Sequence, residues 1–130
     1  MCWGIDRLGG PNIFGFDLDD VEAGSLPDFV GVELVICGEV LEHLSNPGHF
    51  LKRLKKAYPV TTIFTVPNAF TDIGRNSLKT GIEQVNSDHT CYYSYTTLKE
   101  LLDRHAYQID EFYWYNGRPL FAEGLIFVCH

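Results

Sequence analysis

No apolar run in the sequence approaches the roughly 20 residues that a helix needs to cross a bilayer. The N-terminus also lacks the basic start, apolar stretch and small-residue cleavage site of a secretory signal. The expectation is therefore a cytoplasmic protein with no membrane partner. The four cysteines, Cys2, Cys37, Cys91 and Cys129, include no Cys-x-x-Cys pair, which removes the usual patterns of a zinc ribbon or a dithiol redox site. They read as reduced, and Cys37 sits in an apolar run where cysteine acts as a small hydrophobe. Positive charge is scarce: 10 Lys and Arg stand against 17 Asp and Glu, a net charge of −7. Affinity for nucleic acid comes largely from cations that neutralise phosphates, so the balance favours a small molecule over RNA or DNA. The one basic cluster, Lys52, Arg53, Lys55 and Lys56, reads as the solvated face of a helix.

What is present is the composition of a folded domain. With 130 residues, 45% apolar and 21% charged, the chain is long enough for one core and one domain, residues 1–130. Strand-like and helix-like runs alternate, the pattern of an α/β domain with a mainly parallel sheet. Strands are expected at Cys2 to Ile5, Asn12 to Phe16, Val32 to Gly38 and Val60 to Val66. The first two runs are followed at once by an acid, Asp6 and Asp17, and the nearly continuous apolar character of the third suits a strand covered on both faces. Asn46-Pro47 supplies a helix cap and a first-turn proline, and Phe50, Leu51, Leu54 and Ala57 recur at helical spacing up to about Tyr58. A second helix starts at Thr96 or Thr97, with Leu98, Leu101 and Leu102 as its buried stripe. Two β-rich runs, Tyr107 to Tyr115 and Phe121 to Cys129, flank the turn signal Asn116-Gly117-Arg118-Pro119 and imply an antiparallel pair. Residues 69–90 show no clear periodicity and read as a lid or substrate loop.

The segment Glu39-Val-Leu-Glu42-His43 concentrates chemistry. In a helical turn, positions i, i+3 and i+4 share one face, so two carboxylates and an imidazole converge. Such a group is unfavourable unless a cation or a hydrogen-bond network compensates its repulsion and desolvation. A divalent ion is one reading. The other is that Glu39 and Glu42 favour a helix N-terminus while His43 packs or forms a hydrogen bond. His49, His105 and His130 carry no assigned role. The aromatic run Phe112 to Tyr115 reads as strand core.

Taken in order, Cys37-Gly-Glu-Val-Leu-Glu-His-Leu-Ser-Asn-Pro47, Thr65-Val-Pro-Asn68 and Asn86-Ser-Asp-His-Thr-Cys-Tyr-Tyr-Ser94 leading into Thr97-Leu-Lys-Glu-Leu-Leu102 resemble class I S-adenosylmethionine-dependent methyltransferases, from the second strand of that family to its seventh. The resemblance implies a Rossmann-like, mainly parallel sheet with a C-terminal antiparallel hairpin, N-terminally truncated relative to the family. It implies S-adenosylmethionine as cofactor, with Asp6 on the ribose hydroxyls, Asp17 and Leu18 at the adenine, and Cys37, Gly38 and Glu39 beside the methionine part. A turn aspartate at Asp6 and a solvated acidic turn at 17–20 stay open as alternatives. The pattern Glu-x-x-Glu-His with a later Asp-His is similar to two metal-using branches, the ubiquinone-biosynthesis O-methyltransferases and the small-RNA 3′-end 2′-O-methyltransferases. That similarity implies a divalent cation (Mg, Mn or Zn) on Glu39, Glu42, His43 and His89. The implied reaction is methyl transfer to an oxygen, with His43 or His89 as general base where no metal serves.

The strand and glycine-rich turn with which the family begins have no counterpart before Met1. Sheet edges left bare by that difference would need cover from an upstream segment, a partner chain or a second copy of this one. A truncated, inactive methyltransferase-like interaction module is the alternative to an enzyme.

Overall fold

The computed structural model describes residues 4–6, 11–15, 17–19 and 26–130. Two short strands, β1 (Gly4–Asp6) and β2 (Ile13–Gly15), pair in parallel, with Asp6 opposite Gly15. A four-stranded sheet follows in the order β3-β4-β6-β5, formed by β3 (Leu34–Gly38), β4 (Thr61–Pro67), β5 (Ile109–Tyr115) and β6 (Gly124–Cys129). β3 runs parallel to β4, and β6 lies antiparallel between β4 and β5. The final antiparallel pair expected from the Asn116-Gly117 signal is present, with Asn116 at φ 54° and Gly117 at φ 142° in the connection.

Helix α1 (Pro47–Ala57) starts where its cap dictates: the Asn46 side chain accepts from the His49 N–H at 3.0 Å, and Pro47 occupies the first turn. Its face Phe50, Leu51 and Leu54 is buried. Helix α3 (Tyr95–Arg104) is closed at its start by reciprocal Ser94 and Thr97 bonds, one or two residues earlier than the sequence pattern suggests, and buries Leu98 and Leu102. Both helices supply the core shared with β4 and β6. In β4 the period-2 pattern of a pleated strand is plain, with Thr62, Phe64 and Val66 buried and their neighbours more open. Tyr107 seals the layer edge-on to Phe64, its hydroxyl donating to the Leu51 carbonyl at 3.3 Å.

Two expectations are corrected. β3 is not covered on both faces: Leu34 is 46% and Ile36 69% exposed, while Cys37 is buried. Its apolar run reflects one face in the core and one face, with the outer edge, left open among the described residues. Residues 69–90 are not irregular throughout, since α2 (Asp72–Lys79) lies within them. Thr71 caps it by accepting from the Gly74 N–H at 3.0 Å. It buries no residue, and its apolar side chains Ile73 and Leu78 are exposed and too widely spaced to set a helical period.

Between the β1–β2 pair and β3 lies a groove of about 930 Å³, edged by Gly4 and Ile5 on one side and by Leu34, Val35 and Ile36 on the other. Among the described residues the strands thus form two separate sheets with this groove between them.

Candidate active site

Glu39 does not belong to a helical turn. It leaves β3 in the left-handed region, φ 54°, with its N–H donating to the Thr65 carbonyl at 3.0 Å. The chain then closes a single 3₁₀ turn, Leu41–His43. The turn directs Leu41 and Glu42 inward and leaves His43 exposed. The one-face geometry expected for Glu39, Glu42 and His43 is therefore replaced by a sharp corner at the carboxyl end of β3.

Glu42 is 1% exposed, and among the described residues neither of its carboxylate oxygens has a hydrogen-bond partner. Burial pushes its pKa from the ordinary 4.5 up to about 7, opposed by its own backbone N–H and by the His43 imidazole and reinforced by the nearby Glu39 carboxylate. Donor atoms of Glu42, His43 and His89 lie within 4.8 Å of one another, with His43 Nε2 4.0 Å from Glu42 Oε1. Glu39 stands beside this group without joining it. Its carboxylate accepts from the Tyr115 hydroxyl at 3.4 Å, and that hydroxyl stays protonated because burial and the Glu39 charge raise its pKa. Tyr115 reaches so far because its ring lies over Gly124, where a Cβ would fall 1.9 Å from the ring.

The histidines are held by the segment that follows α2. His43 Nδ1 donates to the Asp88 carbonyl at 3.1 Å, which fixes the tautomer with a free lone pair on Nε2. Asn86 fixes the other ring. Its Oδ1 accepts from the Asp88 N–H at 3.1 Å, and its amide nitrogen meets His89 Nε2 at 3.1 Å. The two imidazoles meet edge to face, centroids 4.8 Å apart. The whole segment is fastened to the turn through one carbonyl: Glu42 O accepts from the N–H groups of Thr90 at 2.7 Å and Cys91 at 3.1 Å, and from the Thr90 hydroxyl at 3.1 Å. Thr90 Oγ1 also lies 2.7 Å from the Leu44 carbonyl.

The donor set fits a divalent cation. A buried, unpaired carboxylate with two imidazoles in reach matches the mixed oxygen and nitrogen ligation of Mg²⁺, Mn²⁺ or Zn²⁺. The bonds from Thr90 to Glu42 and from Tyr115 to Glu39 span more than forty residues, so the roles of Thr90 and Tyr115 are not readable from local spacing. Asn68, which closes the Thr65 to Asn68 motif, is another such residue. It is buried, and its amide donates to the carbonyls of Leu120 at 3.0 Å and Ala122 at 2.8 Å.

Of the residues assigned to a nucleotide cofactor, Cys37 and Gly38 end β3 and lead into Glu39 at this corner. Asp6 ends β1, and its side chain lies outside the described residues. Asp17 is exposed and accepts from the Asp19 N–H at 3.0 Å, while Leu18 packs half-buried against the core. Asp19 binds Ser45 twice, accepting from its N–H and its hydroxyl at 2.7 Å each. The exit of β2 is thereby tied to the segment leaving the 3₁₀ turn. Cys37 turns its thiol into the core, where burial pushes its pKa up to about 12. Gly38 is exposed, and a Cβ there would lie 3.1 Å from Thr65 Oγ1.

No protein-family model and no curated protein matches the chain. Solved structures do. The magnesium protoporphyrin IX methyltransferase of Synechocystis PCC 6803, with bound SAH, superposes with a TM-score of 0.58 at 17% identity, over 90% of this chain and 49% of that one. The small RNA methyltransferase HEN1 does so with a TM-score of 0.59 at 18% identity, over 77% of this chain and 14% of that one. A Haloferax volcanii methyltransferase, solved in complex with the Trm112 methyltransferase activator, gives 0.64 at 15% identity, over 98% and 69%. The chain thus spans about half of the Synechocystis enzyme and a smaller part of HEN1. The fold is the Rossmann-like fold of class I S-adenosylmethionine-dependent methyltransferases.

Proposed function

We propose that this chain acts as an S-adenosylmethionine-dependent methyltransferase on a hydroxyl oxygen of a small molecule, with the corner Glu39–His43 as its centre. The observation that carries the reading is Glu42. A buried carboxylate without a hydrogen bond is unfavourable by several kcal/mol (about 2–7 for a polar group, more when charged), and a fold that served structure alone would gain by an apolar side chain there. Strongly shifted acids held beside imidazoles mark sites where charge is taken up or passed on.

On this reading Asp6 meets the ribose hydroxyls of S-adenosylmethionine, Asp17 and Leu18 meet its adenine, and the backbone of Cys37, Gly38 and Glu39 runs beside its methionine part. Glu42, His43 and His89 hold a divalent cation, and Glu39 adds negative charge next to them. When bound, such a cation lowers the pKa of an adjacent hydroxyl and orients it. Where none is bound, His43 supplies the base through Nε2, the ring nitrogen not engaged by the Asp88 carbonyl; His89 is the alternative base. The oxygen then forms a bond to the methyl carbon as the carbon–sulfur bond breaks in line, and the hydroxyl proton passes to the imidazole. The net charge of −7 supports a small acceptor over RNA.

Calorimetry with S-adenosylmethionine and with Mn²⁺ tests the reading. Saturable binding of both is expected, with Mn²⁺ binding lost in Glu42→Gln. A chain that takes up no S-adenosylmethionine is not an enzyme in this form. The open edge of β3 would then favour the second reading, a methyltransferase-like interaction module, and would point to a partner chain or a second copy on that edge.

A further inference from the structure

A second hollow, about 600 Å³, lies between α2, residues 83–92 and the β5–β6 connection, and His89 stands in its wall. It therefore borders the Glu42, His43 and His89 cluster. Its position beyond the carboxyl end of β4, beside Pro67 and Asn68, is where open α/β sheets receive ligands. Its volume suits one drug-sized molecule.

The character of the wall narrows the chemistry. Phe70, Leu78, Val85 and Leu120 come from four different stretches of chain, are each about half or more exposed, and all face this hollow. Single exposed apolar groups need no explanation, but convergence of four on one concave surface does. The one cation of the wall, Arg75, is already engaged: its guanidinium lies 3.1 Å from Asp72 and 4.4 Å from the centre of the Phe121 ring. Glu83 is the acid of the wall, so a phosphate chain finds no uncommitted positive charge in the lining. At the end nearest the cluster, His89 and Tyr92 pack their tilted rings against each other, centroids 5.8 Å apart, and give the wall an aromatic surface.

The geometry points to a hydroxylated aromatic small molecule as the ligand of this cavity, its ring system held among Leu78, Val85 and Leu120 and its hydroxyl directed past His89 to the cluster. That this ligand carries a hydroxyl and is the methyl acceptor rests on the proposed methyltransferase activity; that the cavity binds an uncharged aromatic ring does not.

Naphthol serves as probe, followed by its fluorescence on titration with the 130-residue protein, with methoxynaphthalene and a short single-stranded RNA as comparators. Saturable binding of naphthol is expected. Leu78→Lys and Leu120→Lys, both at exposed positions and checked for unchanged circular dichroism, are each expected to weaken it by about ten-fold or more, because an ammonium is set against an apolar ring. Absence of saturable binding, binding that ignores both substitutions, or displacement of naphthol by the RNA would overturn the assignment. The two readings separate cleanly. Naphthol bound in the expected way but never methylated from labelled S-adenosylmethionine leaves the cavity and removes the activity. Methyl transfer to another acceptor that saturating naphthol and both lysine variants leave untouched keeps the activity and removes the cavity.

Discussion

Glu42 couples the chemistry of the site to the stability of the fold. Its carboxyl binds a proton up to about pH 7 in the native state, against an ordinary 4.5. Between those values the native state holds more protons than the unfolded one, so stability falls as pH rises. The contribution is whole below about pH 4.5 and gone above pH 7, a difference on the order of 3 kcal/mol at 1.36 kcal/mol per pH unit. We expect denaturant titrations of the metal-free protein to show this loss, Glu42→Gln to remove it, and Mn²⁺ at pH 8 to raise the melting temperature of the native sequence alone. An unchanged pH profile in the Gln variant would assign the effect to another group. At this scale the sequence was informative about identity and not about pose. Glu39, Glu42, His43 and His89 are named together only through the family resemblance, and donor atoms of three of them, Glu42, His43 and His89, lie within 4.8 Å of one another. The left-handed Glu39 and the inward turn of Glu42 are not legible, since they follow from a backbone corner that no periodicity encodes. Nor is the link from Glu39 to Tyr115, which depends on Gly124 lying under a ring that belongs to the neighbouring strand.

Among the elements, the piece between α2 and α3 decides whether the site exists, and it is secured by few bonds. Thr90 contributes three of them, two from its hydroxyl. Thr90→Val keeps the shape and deletes the hydroxyl bonds; a loss of about 1–2 kcal/mol is expected, together with weaker Mn²⁺ binding, measured by calorimetry, because His89 and Asp88 are carried on the same segment. Retained metal affinity in that variant would mean that the segment needs no such fastening. α2 itself is anchored from outside. Asp72 pairs with Arg118 of the β5–β6 connection at 3.1 Å and with Arg75, and the Arg118 hydrogen bond holds its carboxyl below the usual range. These groups are exposed, so Arg118→Ala is expected to leave global stability unchanged while amide exchange in Asp72–Lys79 quickens. Helices α1 and α3 could be read in advance because each has a cap and an apolar stripe. α2 has the cap without the stripe, and only its docking, through residues 46 positions apart, reveals it. β3 was legible as a strand and misread as fully covered, for an apolar run cannot say which of its faces finds a neighbour.

At the scale of the whole molecule, the described sheet stands in two parts, and the exposed edge of β3 with Ile36 at 69% exposure borders the gap between them. The two parts are joined by the bonds of Asp19 with Ser45 and by Leu18 packed against the core. Unpaired strand edges recruit other strands, so the isolated chain is expected to self-associate, and sedimentation should show Ile36→Lys shifting it toward the monomer. A chain that stays monomeric at high concentration with Ile36 intact would show the edge to be closed. The gap has a consequence for what a stability measurement on this protein means. Whatever enters it binds the native state and not the unfolded one, so mass action adds RT ln(1 + [L]/Kd), about 2.7 kcal/mol when the guest is at a hundred times its Kd. The melting temperature is then not a constant of the sequence but rises with the concentration of whatever binds the native state.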